Sequence, residues 1–140
     1  MIFKFIVKWL GSLKSVPMVA LVFDSCLKIH AAIVNPQLLD CIDEVENEVC
    51  CWEGVTLSLH KYGGTQFNYK LKEIGHLHSN GILDIRLDRE TKNLLVQENK
   101  AQEHHVFKKS GWISLYIVGK ADVENAIAIL CLSYKNSVNG

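Results

Sequence analysis

The chain has 140 residues, 49% of them hydrophobic, and its fifteen basic side chains balance fifteen acidic ones. That is enough apolar material for one domain with a real core, and the absence of a basic surplus argues against nucleic acid as a partner. The five cysteines, Cys26, Cys41, Cys50, Cys51 and Cys131, are odd in number and contain no Cys-x-x-Cys pair. They read as reduced thiols of a cytoplasmic protein, not as a disulfide framework or a zinc knuckle.

Residues 1–35 differ in character from the rest. Phe3, Ile6, Val7 and Leu10 recur at helical spacing between Lys4, Lys8 and Lys14, Pro17 interrupts, and an apolar run from Val16 to Phe23 ends at Asp24. That run is too short to cross a bilayer, which takes about 20 apolar residues. The intruding lysines and the lack of a small-x-small cleavage site argue against a signal peptide. Two readings stay open: a helical layer over the core, or an amphipathic segment making peripheral contact with a membrane.

A folded domain is expected over residues 36–138. Pro36 suits the first turn of a helix, along which Leu38, Leu39, Ile42, Val45 and Val49 recur at near 3.6 spacing until Gly54. Val55–His60 alternates as a strand, and Lys61–Gly64 reads as a turn. Two strands follow at 66–71 and 73–78. Asn80-Gly81 signals a hairpin, since both positions tolerate positive φ, and 82–87 is the returning strand. Asp88 is the N-cap of a helix to Gln97. A short strand at 104–107, a turn at 108–111 and a strong strand at 112–118 come next, before Asp122 opens the last helix. The order predicts an α+β fold: a largely antiparallel sheet of about five to six strands flanked by helices, plus the N-terminal helical segment.

Histidines carry the functional signal. His76 and His78 stand two apart in a predicted strand and so share one face of it; His104 and His105 follow as a second pair. Two chemistries can be built on His76, His78 and His105. As neutral ligands they could hold one divalent metal ion, with Asp84 as a fourth ligand or as an orienting partner. Without a metal, one imidazole could take a proton from an acidic enol, with Asp84 or Glu73 fixing its tautomer. His60 and His30 read as ordinary residues, His60 at most a neighbour of the pocket. Gly63-Gly64 lies between strands and so reads as a turn, not a phosphate cradle, and Ser110 lacks a nucleophile elbow.

The strings Tyr62-Gly-Gly-Thr-Gln-Phe67 and Glu73-Ile-Gly-His-Leu-His-Ser-Asn-Gly-Ile-Leu-Asp84-Ile85 resemble a small bacterial domain family related to fungal luciferase. Glu103-His-His-Val106, Ser110-Gly-Trp112, Asp122-Val-Glu-Asn-Ala-Ile127 and Leu132-Ser-Tyr134 continue the pattern in order. The resemblance implies an oxygenase acting on an enolisable, pyrone- or aromatic-type small molecule without an organic cofactor. It matches Glu73, His76, His78, His105 and Trp112 to the family's functional positions; Asn80-Gly81 and His104 look typical of the bacterial branch. The expected catalytic set is therefore His76, His78, His105, Asp84 and Glu73, with His104, Trp112, Tyr116, Asn80 and Phe67 around the substrate. A non-catalytic metal- or small-molecule-binding module and a membrane-surface protein remain the alternatives.

Overall fold

The computed structural model describes residues 17–104 and 107–140. The expected N-terminal helix around Phe3–Leu10, and His105 with it, lie outside the described residues. Four helices, α1 (Pro17–Val34), α2 (Pro36–Cys50), α3 (Arg89–Gln97) and α4 (Lys120–Asn139), accompany six strands. The strands are β1 (Val55–Leu59), β2 (Thr65–Tyr69), β3 (Lys72–Leu77), β4 (Ile82–Arg86), β5 (Gln102–Glu103) and β6 (Trp112–Tyr116). They form one open sheet in the order β1-β2-β3-β4-β6-β5, every pair antiparallel. This is an α+β fold.

Alternation along the strands gives the sheet two unlike faces. Phe67, Leu77, Leu83, Ile85, Ile113 and Leu115 point to one side and pack with Leu38, Ile42, Val45 and Val49 of α2 and Val123, Ala126, Ile129 and Leu130 of α4. Gly75 is required on this side, because a Cβ there would sit 3.0 Å from the Leu130 side chain and 2.8 Å from the Asp84 carbonyl. The opposite face carries Gln66, His76, Asp84 and Ser114 in adjacent strands at paired positions.

One irregularity shapes this polar face. Phe67 pairs with Gly75, but Asn68 pairs with Glu73, so Ile74 is an extra residue in β3. This β-bulge breaks the period of two. Ile74 is fully buried in the core, and its carbonyl accepts from Ser133 of α4 at 3.0 Å. Glu73 is thereby turned onto the face of His76.

The helix ends follow from local chemistry. Pro17, expected to interrupt, is the first described residue of α1. Pro36 starts α2, where its missing N–H costs nothing, and the Asn35 backbone (φ −147°, ψ 75°) makes the 120° bend between the two helices. Asp88 caps α3 by accepting from the Thr91 N–H at 2.8 Å. The last helix begins at Lys120, ahead of Asp122, whose carboxylate accepts from the Val118 and Gly119 N–H groups at 2.9 and 3.1 Å. At Asn80-Gly81 only the glycine has positive φ, +85°. The loop Ser79–Gly81 is closed by His78 N–H donating to the Ile82 carbonyl at 2.9 Å. A strand falls at Gln102–Glu103, before the expected 104–107; His104 lies past its end, and positions 105 and 106 lie outside the described residues.

Helix α1 docks on this domain. Ala20 and Ala31 are buried at its inner side, while Met18, Val22, Ile29 and Ile33 form an exposed apolar stripe at the outer side. Among the described residues no single helix is long and apolar enough to cross a membrane.

Candidate active site

Four imidazoles converge on the polar face, around two carboxylates. His76 and His78 come from the end of β3, Asp84 from the middle of β4, and Ser114 from β6 beside it. Asp84 is 1% exposed, and its Oδ2 lies 3.3 Å from His76 Nε2, 3.5 Å from His104 Nε2 and 3.8 Å from His78 Nε2. Its Oδ1 accepts from the Ser114 hydroxyl at 2.5 Å. On the other side of His76, Nδ1 meets Glu73 Oε1 at 2.7 Å. The His76 ring is thus held at both nitrogens by carboxylate oxygens, the contact with Glu73 existing only because of the bulge.

The electrostatics follow from these contacts. Burial alone would drive His76 to its neutral form, but hydrogen bonds to Asp84 and Glu73 outweigh it and raise the pKa. Burial would likewise neutralise Asp84, yet its bonds to His76 and Ser114, with His104 nearby, lower its pKa. His76 as imidazolium between two carboxylates is the state this geometry favours. His104 is fixed by the backbone: the Phe107 N–H donates to its Nδ1 at 3.1 Å, so the neutral ring carries its proton on Nε2, toward Asp84.

A further member of the cluster is His60, at the end of β1. It is 4% exposed, and its ring lies flat on that of His76, with centroids 3.8 Å apart and planes 8° from parallel. Burial, then the neighbouring His76, pushes its pKa down to about 4, so the ring is neutral. Its Nδ1 has no hydrogen-bond partner among the described residues, which makes it a buried orphan acceptor or donor. The reading of His60 as an ordinary residue is thus corrected. Strand parity is the signal that points to it: 56, 58 and 60 alternate onto the same face as Gln66 and His76.

The remaining expected residues divide. Trp112 stands beside the cluster, 5.4 Å from His76 and 6.2 Å from His104 between ring centroids. Phe107 covers His104 at 5.1 Å. The loop that carries it is anchored by buried Lys92, whose ammonium donates to the carbonyls of Lys108 and Ser110. Tyr116 lies on the same face but farther along β6, exposed. Asn80 is spent on its own turn, accepting from the Ile82 N–H at 3.2 Å. Phe67 is on the wrong side: it is fully buried in the apolar core, one strand position from Gln66 and therefore on the opposite face.

Metal binding can be tested on the geometry. His60, His76 and His78 offer nitrogens within 4.8 Å of one another. A ligand lone pair lies in the plane of its ring, however, and the near-parallel planes of His60 and His76 do not meet at a common point. To hold one ion, one ring must leave the stack, and if Nε2 of His76 were the ligand it would give up its proton and its bond to Asp84. The arrangement as it stands suits proton transfer better than coordination.

A helix-backed antiparallel sheet whose other face gathers four histidines around Asp84 and Glu73 defines an α+β domain with a histidine–carboxylate cluster. The Luciferase domain family model matches residues 71–133, a luciferase-like stretch that runs from β3 into α4. The matched stretch includes Glu73, His76, His78, Asp84, His104, Trp112 and Ser114, and leaves out His60 and all of α1 and α2. No curated protein and no solved structure matches the chain.

Proposed function

We propose that this domain is a small oxygenase-like enzyme that deprotonates an enolisable, pyrone- or aromatic-type substrate and lets the resulting enolate react with molecular oxygen, without a metal. The observation that supports this most is Asp84, a buried carboxylate whose Oδ2 faces three imidazole Nε2 atoms at 3.3 to 3.8 Å. With His76 charged, the group Glu73–His76–Asp84 carries one net negative charge. Such a site stabilises an imidazolium formed beside it and so favours removal of a proton.

His78 is the more open ring at 21% side-chain exposure, against 10% for His76, and is the base that meets substrate in this reading. It takes the enol proton, and Asp84 balances the charge. The enolate carbon then adds to oxygen, which accepts the electron pair, and the imidazolium returns its proton to the peroxide formed. One substrate and one O2 give one hydroperoxide, with the histidine restored. Trp112 and Phe107 supply flat walls for a planar ring.

Oxygen uptake with a 3-hydroxy-2-pyrone tests the proposal. The full chain should consume oxygen, chelator treatment should leave the rate unchanged, and His78→Ala should abolish it while the melting temperature moves by no more than a few degrees. Uptake by His78→Ala equal to the parent would end the base assignment. A second reading, a metal-binding module, is favoured by the proximity of the His60, His76 and His78 nitrogens. Stoichiometric zinc or nickel by elemental analysis, together with no oxygen uptake, would replace the first reading with this one.

A further inference from the structure

We propose that Asp24, in the middle of α1, is a positioning residue for the histidine face, locking together the two turns from which His60 and His78 project. Both histidines stand at the base of a turn. His60 N–H donates to the Gly64 carbonyl and its own carbonyl accepts from Gly63 N–H, both at 2.9 Å. His78 makes the matching pair across its turn, to Ile82 and from Gly81, again at 2.9 Å. Anything that shifts either turn therefore shifts the ring attached to it.

Asp24 touches both turns. Its Oδ2 accepts from the Ser79 hydroxyl at 2.9 Å and its Oδ1 from the Ser79 N–H at 3.4 Å. Gly63 presses on the same side chain so closely that a Cβ at Gly63 would lie 2.3 Å from Asp24 Cβ. The turns also meet each other, since a Cβ at Gly64 would lie 2.2 Å from the Leu77 carbonyl oxygen and 2.9 Å from His78 Cα. Gly63 and Gly64 both hold positive φ, +89° and +82°, so neither position accepts a side chain without strain. An aspartate inside a helix is locally unfavourable, because its short carboxylate competes for backbone hydrogen bonds. Here it is offset by a tertiary contact to a residue 55 positions away.

Asp24, His60 and both glycines lie outside the stretch matched by the family model. Helix α1 thereby becomes part of the site's scaffold. The functional meaning of this role rests on the reading of the histidine face as the reactive centre, but its test reads ring positions.

Imidazole carbon–proton spectra of the full chain should be compared for the parent, Asp24→Ala, Asp24→Asn and Ser79→Ala. The alanine variant should shift or broaden the His60 and His78 signals and weaken the cross-relaxation between His60 and His76. The Ile85 and Ile113 methyl signals on the other face should stay in place. Asparagine keeps an acceptor for Ser79 and should restore the parent pattern; Ser79→Ala should reproduce the alanine effect in weaker form. Where the parent consumes oxygen, the rate of Asp24→Ala should fall roughly tenfold or more, as small misplacements of reacting groups do. Superimposable His60 and His78 signals in Asp24→Ala would overturn the proposal. If Asp24→Ala does not fold, Ser79→Ala decides, and unmoved rings in that variant overturn it equally. Moved rings in a protein that consumes no oxygen would support the positioning role and remove the oxygenase reading.

Discussion

The two faces of the sheet are built from alternate residues of the same strands, and they solve opposite problems at equal depth. In β4, Leu83 and Ile85 are fully buried against the helices, while Asp84 between them is 1% exposed on the other side. On the apolar face burial is itself the stabilising event, worth roughly 25 cal/mol per Å² of apolar surface. On the polar face burial is a cost, which the structure offsets by giving nearly every buried polar atom a partner. Among the described residues, His60 Nδ1 is the buried side-chain atom left without one. Away from the bulge at Ile74, a buried strand position in this fold is thus core or site according to its parity.

The largest break in that comparison is expected at Asp84. Asp84→Ala leaves a buried imidazolium without its main partner, a loss of roughly 3–5 kcal/mol at neutral pH by denaturant unfolding. Next comes its neighbour: Ile85→Ala should cost about 3 kcal/mol through the cavity it opens, yet leave the imidazole signals of His76 and His78 unmoved. Equal disturbance of the histidines by both would show that the faces are not separable.

A pH experiment sharpens the contrast within the polar face itself. His60 is neutral when folded, with its pKa lowered to about 4, whereas the unfolded chain protonates it near 6.5. Stability should therefore fall as pH drops from about 6.5 to about 4, by up to about 3 kcal/mol. His76 runs the other way: its pKa is raised, so its contribution is present below 6.5 and is lost as pH climbs through the folded value. Asp84, lowered, keeps its contribution above about 3.8 and loses it in stronger acid. His60→Gln should flatten the acid limb between pH 6.5 and 4, read from melting temperatures; an unchanged limb would remove the buried-neutral assignment. Smaller again, Ser114→Ala removes one hydrogen bond to a charged carboxylate and should cost about 2 kcal/mol. Smallest, Tyr116→Ala at the exposed margin should stay within about 0.5 kcal/mol.

Much of the fold was legible because its signals are local. The 3.6 spacing from Leu38 to Val49, the alternation of Val55–His60, the cap at Asp88 and the Gly81 turn each act within a few residues, and the elements fall where these place them. Pairing His76, His78 and Asp84 on one face needed only strand parity. His60 was missed although the same parity applies to it, because its neighbour in space is two strands away. The bulge at Ile74 leaves no mark in the residues: Glu73 and His76 are three apart, which in a regular strand puts them on opposite faces. Phe67 was misplaced by one strand position for the converse reason, as a family string does not tell which of its alternating members faces inward. The contact of Asp24 with Ser79 spans 55 residues and has no local signature at all.

The single surplus residue in β3 has a consequence for how this domain can change. Adding one residue to β2 opposite Ile74 would delete no base or acid, yet by making the pairing regular it would put Ile74 on the polar face and turn Glu73, three residues from His76, to the other side. Chain length here is as much a chemical variable as side-chain identity: one more residue in β2 would strip a carboxylate from the His76 ring without touching any member of the cluster.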